Sequence, residues 1–229
     1  MRMIFLYWMI MLHADNLHAQ LAIGVEAGVS RNILATDLSN RPSTIKLSRT
    51  GFAAGILVNY KLNKRLALRI IPGVQQKNYS IQRTGAYTGM GEEVTNTYVH
   101  LPAMASVIWE RKKYSFYGSA GLYGAYWLWG RASGAVPDIF NINGNYAGVA
   151  RYDEKHFFDP RKDNRWEFGW ATGIGAAYRI NTSCAFYADA RYYCSLADMQ
   201  KKYMTNQAPM YNRTLSITAG FMFHPFRRK

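Results

Sequence analysis

Four residues whose side chains could carry acid–base chemistry lie close together in one polar segment: Asp153, Glu154, His156 and Asp159. A carboxylate beside a histidine is the combination that general acid–base hydrolysis uses. No nucleophilic side chain stands beside them at a fixed spacing, so the segment is more typical of a solvated surface loop than of a hydrolase site. An enzyme with a loop-borne site at these residues is therefore the alternative prediction and not the leading one.

Short motifs that hold a phosphate or a metal ion are absent from the sequence. The chain has no Gly-rich phosphate loop, no CxxC pair and no HExxH. His100, His156 and His224 are too scattered along the sequence to form a metal site by spacing. We therefore predict no cofactor and no metal.

Oppositely charged residues also stand two positions apart in segments rich in aromatic residues and glycine, as Arg165 with Glu167 and Asp189 with Arg191. Charges that leave water must be paired or remain hydrated. We predict that these two pairs face each other on neighbouring strands, in a packing role rather than as a catalytic dyad. The predicted ion-pair network holds equal numbers of acids and bases: Glu26, Arg69, Arg165, Glu167, Asp189 and Arg191.

The segments that must position these residues are predicted to be β-strands, because eight stretches are rich in β-branched, aromatic and small residues. They span residues 21–32, 50–61, 65–80, 95–109, 114–131, 164–179, 184–197 and 211–224. The connections alternate between long and short, and the short ones lie at 62–64, 110–113 and 180–183. This alternation predicts an all-β fold, an eight-stranded antiparallel up-and-down transmembrane β-barrel with both termini on the short-turn side.

Period-two alternation divides each predicted strand into two unlike faces. In the second strand, Phe52, Ile56 and Tyr60 lie on a bulky apolar face, whereas Gly51 and Gly55 lie on the other. The charged network falls on the narrow, Gly-rich face, which fits the crowded lumen of a small barrel, so the bulky face is predicted to contact lipid. A soluble exported ligand-binding barrel is the alternative. Further side chains predicted to plug the lumen are Tyr117, Tyr123, Trp127 and Trp129.

Aromatic residues group near both ends of the predicted strands, as expected for amphipathic rings at the depth of lipid headgroups. Near the short-turn ends these residues are Tyr60, Trp109, Tyr114 and Tyr178. Near the long-loop ends they are Tyr98, Tyr126, Trp166, Tyr192 and Tyr211. We predict that they form two interfacial girdles.

The chain of 229 residues is basic, with 28 Lys and Arg against 14 Asp and Glu and a formal net charge of +14. Aromatic residues make up 15% of it, which excludes a disordered basic tail, because such tails lack apolar surface. The basic residues are spread over long loops and short turns instead of being clustered. We therefore predict contact with outer-membrane lipid, including its phosphorylated headgroups, and no nucleic-acid partner.

The N-terminus has the features of a secretory signal peptide. Arg2 precedes ten apolar residues at 3–12, and a short polar stretch then ends at Ala19. We predict cleavage after Ala19, which leaves residues 20–229 as one outer-membrane barrel domain with both termini in the periplasm. Residues 219–229 resemble an alternating aromatic assembly signal, so we predict recognition by the barrel-assembly machinery.

Three motifs resemble the small outer-membrane β-barrel family often labelled PorT-like, which is found in Gram-negative envelopes of the Bacteroidetes type. The motifs are YVHLP at 98–102, FGWATGIG at 168–175 and ARY at 190–192. The resemblance covers essentially the whole mature chain, and it implies an eight-stranded fold and an outer-membrane location. His100 stands where the family usually has an acid, and the resemblance carries over no catalytic residues.

The long connection at 132–163 is the part of the chain predicted to act on other molecules. A non-specific pore is not expected at this strand number, because the lumen of an eight-stranded barrel is filled by its own side chains. We therefore predict a non-enzymatic protein with a structural or envelope-interaction role, in which loop 132–163 contacts an envelope protein partner.

Overall fold

β-Strands make up most of the chain in the computed structural model, which describes residues 21–41, 43–138 and 148–223. The strands are β1 (Leu21–Ala35), β2 (Thr44–Lys61), β3 (Leu66–Ile70), β4 (Gly73–Gln76), β5 (Tyr79–Arg83), β6 (Gly91–Arg111), β7 (Tyr114–Asp138), β8 (Gly148–Lys155), β9 (Trp166–Arg179), β10 (Cys184–Ser195) and β11 (Tyr211–Phe223). The predicted signal peptide and residues 224–229 of the predicted assembly signal lie outside the described residues. Within the described ranges, no helix is long and apolar enough to cross a membrane.

The strands pair antiparallel with their neighbours, and the sheet closes on itself. β1 pairs with β2 on one side and with β11 on the other, so that the first and last strands meet. From β2 the order continues through a third barrel strand, formed in line by β3, β4 and β5, and then through β6, β7, β9, β10 and β11. The predicted eight-stranded up-and-down barrel is therefore confirmed. Closure pairs the edges that an open sheet would expose.

The connections alternate in length as the sequence predicted. Short turns at 62–65, 112–113 and 180–183 join strands at one end of the barrel, and the longer connections lie at the other end. Several strands are longer than predicted at the long-loop end, since β2 begins at Thr44 and β6 begins at Gly91. The long-loop end is therefore more regular than the sequence indicated.

Two prolines interrupt the ladder between the third and fourth barrel strands without shifting it. Pro72 follows β3 and has no backbone N–H to donate. At the same depth, the Ile71 N–H donates to the Pro102 carbonyl at 3.1 Å. β3 and β4 pair with β6 in one continuous register on both sides of this break. Inward and outward positions are therefore preserved through the prolines.

A register shift occurs instead between β6 and β7 at Thr97/Tyr98, where Leu128 is an extra residue on β7. One extra residue reverses which face of a strand points inward. Trp127 is accordingly buried in the lumen, whereas Trp129 is 56% exposed on the outside. The prediction that Trp129 helps to plug the lumen was wrong for this reason.

The two faces of the barrel wall differ in polarity as predicted. On β1, Ile23, Val25 and Val29 are exposed on the outer surface, whereas Glu26 and Asn32 are buried inside. An exposed apolar exterior around a polar interior is the reverse of a soluble barrel and suits a bilayer, where a closed barrel satisfies its backbone hydrogen bonds internally.

Several strands continue beyond the barrel at the long-loop end and form an outer sheet. It consists of β5, the adjoining ends of β2 and β6, the end of β7, and β8. β7 has 25 residues, or about 80 Å at roughly 3.3 Å per residue, whereas a tilted strand crosses the membrane with about 9–11 residues. Residues 131–138 of β7 and all of β8 form an outer hairpin, so much of the connection predicted as loop 132–163 is regular strand.

Candidate functional site

Four charged side chains form a continuous chain of ion pairs across the middle of the lumen. Arg191 is 1% exposed; it contacts the Glu26 carboxylate, and its Nε lies 3.5 Å from Asp189 Oδ1. Asp189 Oδ2 lies 2.8 Å from Nη1 of Arg69. The contacts therefore run from Glu26 through Arg191 and Asp189 to Arg69. They link β1, β10 and β3, and the two acids balance the two bases.

Tyrosine hydroxyl groups supply further hydrogen bonds to the two acids. Tyr187 donates to Glu26 Oε2 at 3.1 Å, and Tyr117 donates to Asp189 Oδ2 at 3.1 Å. Removing charges from water is costly, and a buried ion pair offsets that cost only when hydrogen bonds satisfy its remaining polar atoms. The tyrosines provide part of this compensation, and they also fill the lumen.

A further ion pair lies nearer the long-loop end, where Lys77 contacts Glu167 in the buried interior. Glu167 also accepts hydrogen bonds from the Tyr123 hydroxyl at 2.6 Å and from the Asn212 amide at 2.7 Å. The Lys77 ammonium lies 4.9 Å from the centroid of the Tyr98 ring, within the range of a cation–π contact. With this pair, the network holds three acids and three bases.

Lys77 is the member of the network that the sequence reasoning missed. It lies in the break between β4 and β5, where the run of polar residues has the appearance of a strand end. Its spacing from Arg69 nevertheless indicated an inward orientation. The interval is even (77 − 69 = 8), so both residues lie on one face of a continuous strand.

Arg165, which was predicted in the network, lies outside it. Arg165 precedes β9, and its guanidinium donates to the carbonyl oxygens of Trp127 at 3.0 Å and Leu128 at 3.2 Å. These carbonyls are available because Leu128 is the extra residue at the register shift. Glu167 and Asp189 also lie at different depths, since Gly175 is the residue opposite Asp189. The prediction that Arg165 and Glu167 face Asp189 and Arg191 on neighbouring strands is therefore wrong.

The predicted girdle residues lie on the outer face of the barrel, with one exception. The outward-facing residues are Tyr60, Trp109, Tyr114, Tyr126, Trp166, Tyr178, Tyr192 and Tyr211. At the two ends, Tyr114 packs on Tyr178 with ring centroids 5.1 Å apart, and Tyr126 packs on Trp166 at 4.8 Å. Tyr98 is 1% exposed inside the lumen, because it shares its parity on β6 with the inward-facing His100.

Aromatic rings close the lumen at the long-loop end. His156 stacks on Trp127 with centroids 4.8 Å apart, and Phe158 meets the same indole edge-on at 4.9 Å. His156 Nε2 lies 3.1 Å from Asp163 Oδ2, which ties the segment together. Residues 156–163 therefore fold over the mouth of the barrel.

The candidate acid–base residues of this segment are not brought together into one site. Asp153 lies on the outer hairpin, whereas His156 and Asp163 pair at the mouth of the barrel. Asp159 lies 3.7 Å from the Lys162 ammonium, and Glu154 is exposed on β8. Over the residues that the structure describes, no group of three or more His, Cys, Asp or Glu side chains could hold a metal ion.

Asp153 lies opposite Ser133 on the outer hairpin, and its structural partner is Arg131, which is diagonally across, two residues away on β7. The guanidinium donates two hydrogen bonds to the carboxylate, at 2.6 and 2.5 Å. These bonds hold the pKa of Asp153 below its ordinary value. A carboxyl group whose pKa is depressed by folding stabilises the folded state above its unfolded pKa, and this contribution is lost as the pH falls through the depressed value. Asp153 is therefore ionised at neutral pH and fastens the hairpin.

A cavity of about 50 Å³ lies below the ion pairs at the short-turn end. Its lining includes Asn59, Arg69, Ser106 and Tyr187. This volume has room for a few water molecules, and it is far smaller than the roughly 300–1,000 Å³ of a typical ligand pocket. The cavity is therefore suited to hydrating the polar wall and not to holding an organic ligand.

The fold has a counterpart among known families. A family model described as "Outer membrane protein beta-barrel domain" matches residues 14–201 of the chain. The chain belongs to this family. The protein is thus an integral β-barrel of the cell outer membrane, with its apolar face in lipid and its ion pairs in the lumen.

Solved structures of outer-membrane proteins resemble this barrel at low sequence identity. OprG from Pseudomonas aeruginosa is 10% identical with a TM-score of 0.51, over 90% of this chain and 96% of that one. Neisserial surface protein A is 16% identical with a TM-score of 0.42, over 89% and 98%. Ail of Yersinia pestis is 13% identical with a TM-score of 0.42, over 89% and 99%. The likeness to OprG shows the fold alone, and no curated protein matches the sequence.

Proposed function

We propose that this outer-membrane barrel has a non-enzymatic role, structural or in contacts with other envelope components, which it performs through its outer surface. The observation that carries the proposal is the filled lumen. Its largest side chains are each less than 2% exposed: Lys77, Tyr98, Tyr187, Arg191 and Tyr193. Because such a lumen offers no path for solutes, the outer sheet is the part of the protein that can meet other molecules.

We propose that loop 132–163 contacts an envelope protein partner, and that the outer hairpin forms the contact surface. Val136 and Val149 are exposed on its two strands. The strands stand well beyond the length needed to cross the membrane, so partners outside the lipid can reach them. The pairing of Asp153 with Arg131 and of His156 with Asp163 supports a structural reading of the acidic and histidine residues over the enzymatic alternative.

Export, orientation and lipid contacts belong to the same proposal. Residues 1–19 act as a cleaved signal peptide, both termini face the periplasm, and residues 219–229 are recognised by the barrel-assembly machinery. Basic residues at both rims contact the phosphorylated headgroups of outer-membrane lipid, and nucleic acid is not a partner. Within the family, the motifs at 98–102, 168–175 and 190–192 favour the PorT-like branch.

Proteoliposomes that contain the refolded barrel are expected to exclude small sugars. The buried ion pairs and tyrosines fill the lumen, so the rate of osmotic swelling should equal that of protein-free liposomes. The measurement is the light-scattering change after addition of an isotonic sugar solution, with a large-diameter porin as the positive control. Swelling at a porin-like rate would contradict the plugged lumen.

A photo-activated cross-linker at Val136 or Val149 is expected to capture an envelope protein in intact cells, because both positions are exposed on the outer hairpin. The matched control is Leu122, which is exposed on the lipid-facing side of β7 and should give no protein adduct of the same mass. Adducts are detected by immunoblotting and identified by mass spectrometry. If neither hairpin position gives an adduct beyond those of Leu122, the proposed contact is wrong.

A further inference from the structure

One edge of the outer sheet is open. β8 pairs with β7, and in the described part of the chain no strand pairs with its other side. The His156 N–H donates to the Gly130 carbonyl at 2.9 Å, which continues the β7–β8 ladder by one pair. The even-numbered residues of β8 therefore form their backbone hydrogen bonds with β7. Alternate residues of an antiparallel strand direct both backbone groups to opposite sides. The odd-numbered positions that direct N–H and C=O groups away from β7 are Val149, Arg151, Asp153 and Lys155.

The open edge is held in a fixed geometry from both faces of the hairpin. On one face, Arg131 bonds Asp153 through two hydrogen bonds. On the other face, Tyr152 lies opposite Gly134, and partial burial together with the nearby Glu92 carboxylate raises the pKa of the tyrosine. A strand that is already ordered loses less conformational entropy when it pairs with another segment.

The edge also has a definite charge. Arg151 and Lys155 are exposed on the same face, and among the described residues neither forms an ion pair with a carboxylate. Asp153 lies between them, but its charge is already matched by Arg131. The edge therefore combines unpaired backbone groups with two uncompensated positive charges four positions apart.

We propose that β8 binds an extended acidic segment of a partner polypeptide by strand addition. The segment pairs antiparallel with β8, its backbone bonds to the odd-numbered positions, and its carboxylates lie opposite Arg151 and Lys155. Main-chain bonds supply the affinity of such contacts and side-chain pairs supply the register. This inference rests on the proposed role of loop 132–163 and specifies how that contact forms.

A second copy of this chain is a poorer occupant of the edge. Antiparallel pairing of β8 with its own copy requires a two-fold axis perpendicular to the outer sheet. β8 continues a sheet that rises from the barrel, so this axis would turn the second barrel upside down relative to the first. Two barrels in the same outer membrane have the same orientation, and a flexible acidic segment has no such restriction.

The test uses the full-length refolded barrel in detergent micelles and short fluorescent peptides. The first peptide alternates threonine and valine and carries two glutamates four positions apart. The control peptide has the same sequence with lysines in place of the two glutamates. The glutamate peptide should bind about tenfold more tightly, because two attractive cross-strand pairs replace two repulsive ones. N-methylation of the amides that face β8 should abolish its binding. The measurement is fluorescence anisotropy.

Charge reversal in Arg151→Glu/Lys155→Glu should invert the preference, so that the lysine peptide binds more tightly. The matched control is Lys201→Glu/Lys202→Glu, which makes the same change of charge on exposed residues of another loop and should retain the preference of the wild type. Equal binding of the N-methylated peptide would overturn strand addition. The proposal would also be overturned if both variants preferred the same peptide. Self-association of the barrel that is removed only in Arg151→Glu/Lys155→Glu would overturn it as well, because the occupant of the edge would then be a second copy.

Cross-linking in cells separates this inference from the function on which it rests. If the adduct from Val136 disappears in Arg151→Glu/Lys155→Glu but persists in Lys201→Glu/Lys202→Glu, both are supported. If it persists in both variants, the outer sheet meets a partner but the β8 edge does not bind it. If neither Val136 nor Val149 gives an adduct in the barrel without charge reversal, the proposed function itself fails.

Discussion

Replacing Lys77 with methionine is expected to lower the free energy of unfolding by about 3–5 kcal/mol, the cost of leaving one member of a buried ion pair without its partner. Lys77 is fully buried, and it supplies the positive charge that faces Glu167. Tyr123 and Asn212 would still donate to Glu167, but neither carries a charge. The measurement is equilibrium urea unfolding of the refolded barrel in lipid vesicles, followed by tryptophan fluorescence.

The double variant Lys77→Met/Glu167→Gln should recover most of this loss, because no unpaired charge remains: the glutamine oxygen can accept from Asn212, and its amide can donate to the Tyr123 hydroxyl. A matched control is Lys61→Met, which breaks the partly exposed pair of Lys61 with Glu110 and should cost no more than about 1 kcal/mol. The ion pair is not the source of the stability if Lys77→Met costs no more than Lys61→Met. The same conclusion follows if the loss in the double variant equals the sum of the losses in Lys77→Met alone and Glu167→Gln alone.

The balance of charge inside the barrel explains where the basicity of the chain lies. The network holds Glu26, Glu167 and Asp189 against Arg69, Lys77 and Arg191, so its formal charge is zero (3 − 3 = 0). The net charge of +14 is therefore carried by residues outside this network. A neutral lumen limits the cost of removing charges from water, while positive charge at the rims can meet phosphorylated headgroups.

The barrel itself could be predicted because its two strongest signals are local. Turn length alternates along the chain, and bulky residues such as Phe52 and Ile56 alternate with Gly51 and Gly55 on the same strand. Both signals survive in the folded barrel, since the turns stay short and the bulky residues stay on the outside. Pro72 and Pro102 did not disturb the pattern, because a missing donor removes a hydrogen bond without adding a residue.

The details of the lumen were harder to predict, because parity holds only within an uninterrupted paired strand. Trp129 lies beyond the extra residue Leu128 and turns outward. Arg165 precedes β9 and bonds to carbonyls at the same irregularity. Lys77 lies in a break of the third barrel strand but keeps the parity of Arg69. Tyr98 differs, since its parity with His100 already placed it inside the lumen.

The outer hairpin escaped prediction for another reason. Its strands include Gly134, Pro137 and Asp138, and residues of these types are typical of loops. Pairing between β7 and β8 is supported by the Arg131–Asp153 contact, which no periodicity reveals. The open edge of β8 follows from the pairing order of the strands, so it became visible only with the fold.

Substituting alanine for Gly220 is expected to destabilise the barrel by about 3 kcal/mol, because it forces apart the two strands that close the sheet. Gly220 lies on β11 opposite Glu26 of β1. A Cβ atom at Gly220 would lie 1.9 Å from the Val25 carbonyl oxygen and 2.9 Å from the Glu26 Cα. Both are backbone atoms, so no side-chain rotation can relieve the overlap.

Gly124→Ala is the matched control, because it makes the same substitution on a barrel strand where a Cβ would meet no heavy atom within 4 Å. Folding is measured as the fraction that migrates as the compact form without boiling, and stability is measured by urea unfolding. Gly124→Ala should match the wild type within about 0.5 kcal/mol, whereas Gly220→Ala should shift toward the unfolded band. Equal behaviour of the two variants would mean that β1 and β11 can separate at little cost. Closure would then depend mainly on the contact of Arg191 with Glu26 and not on the close approach of the two backbones.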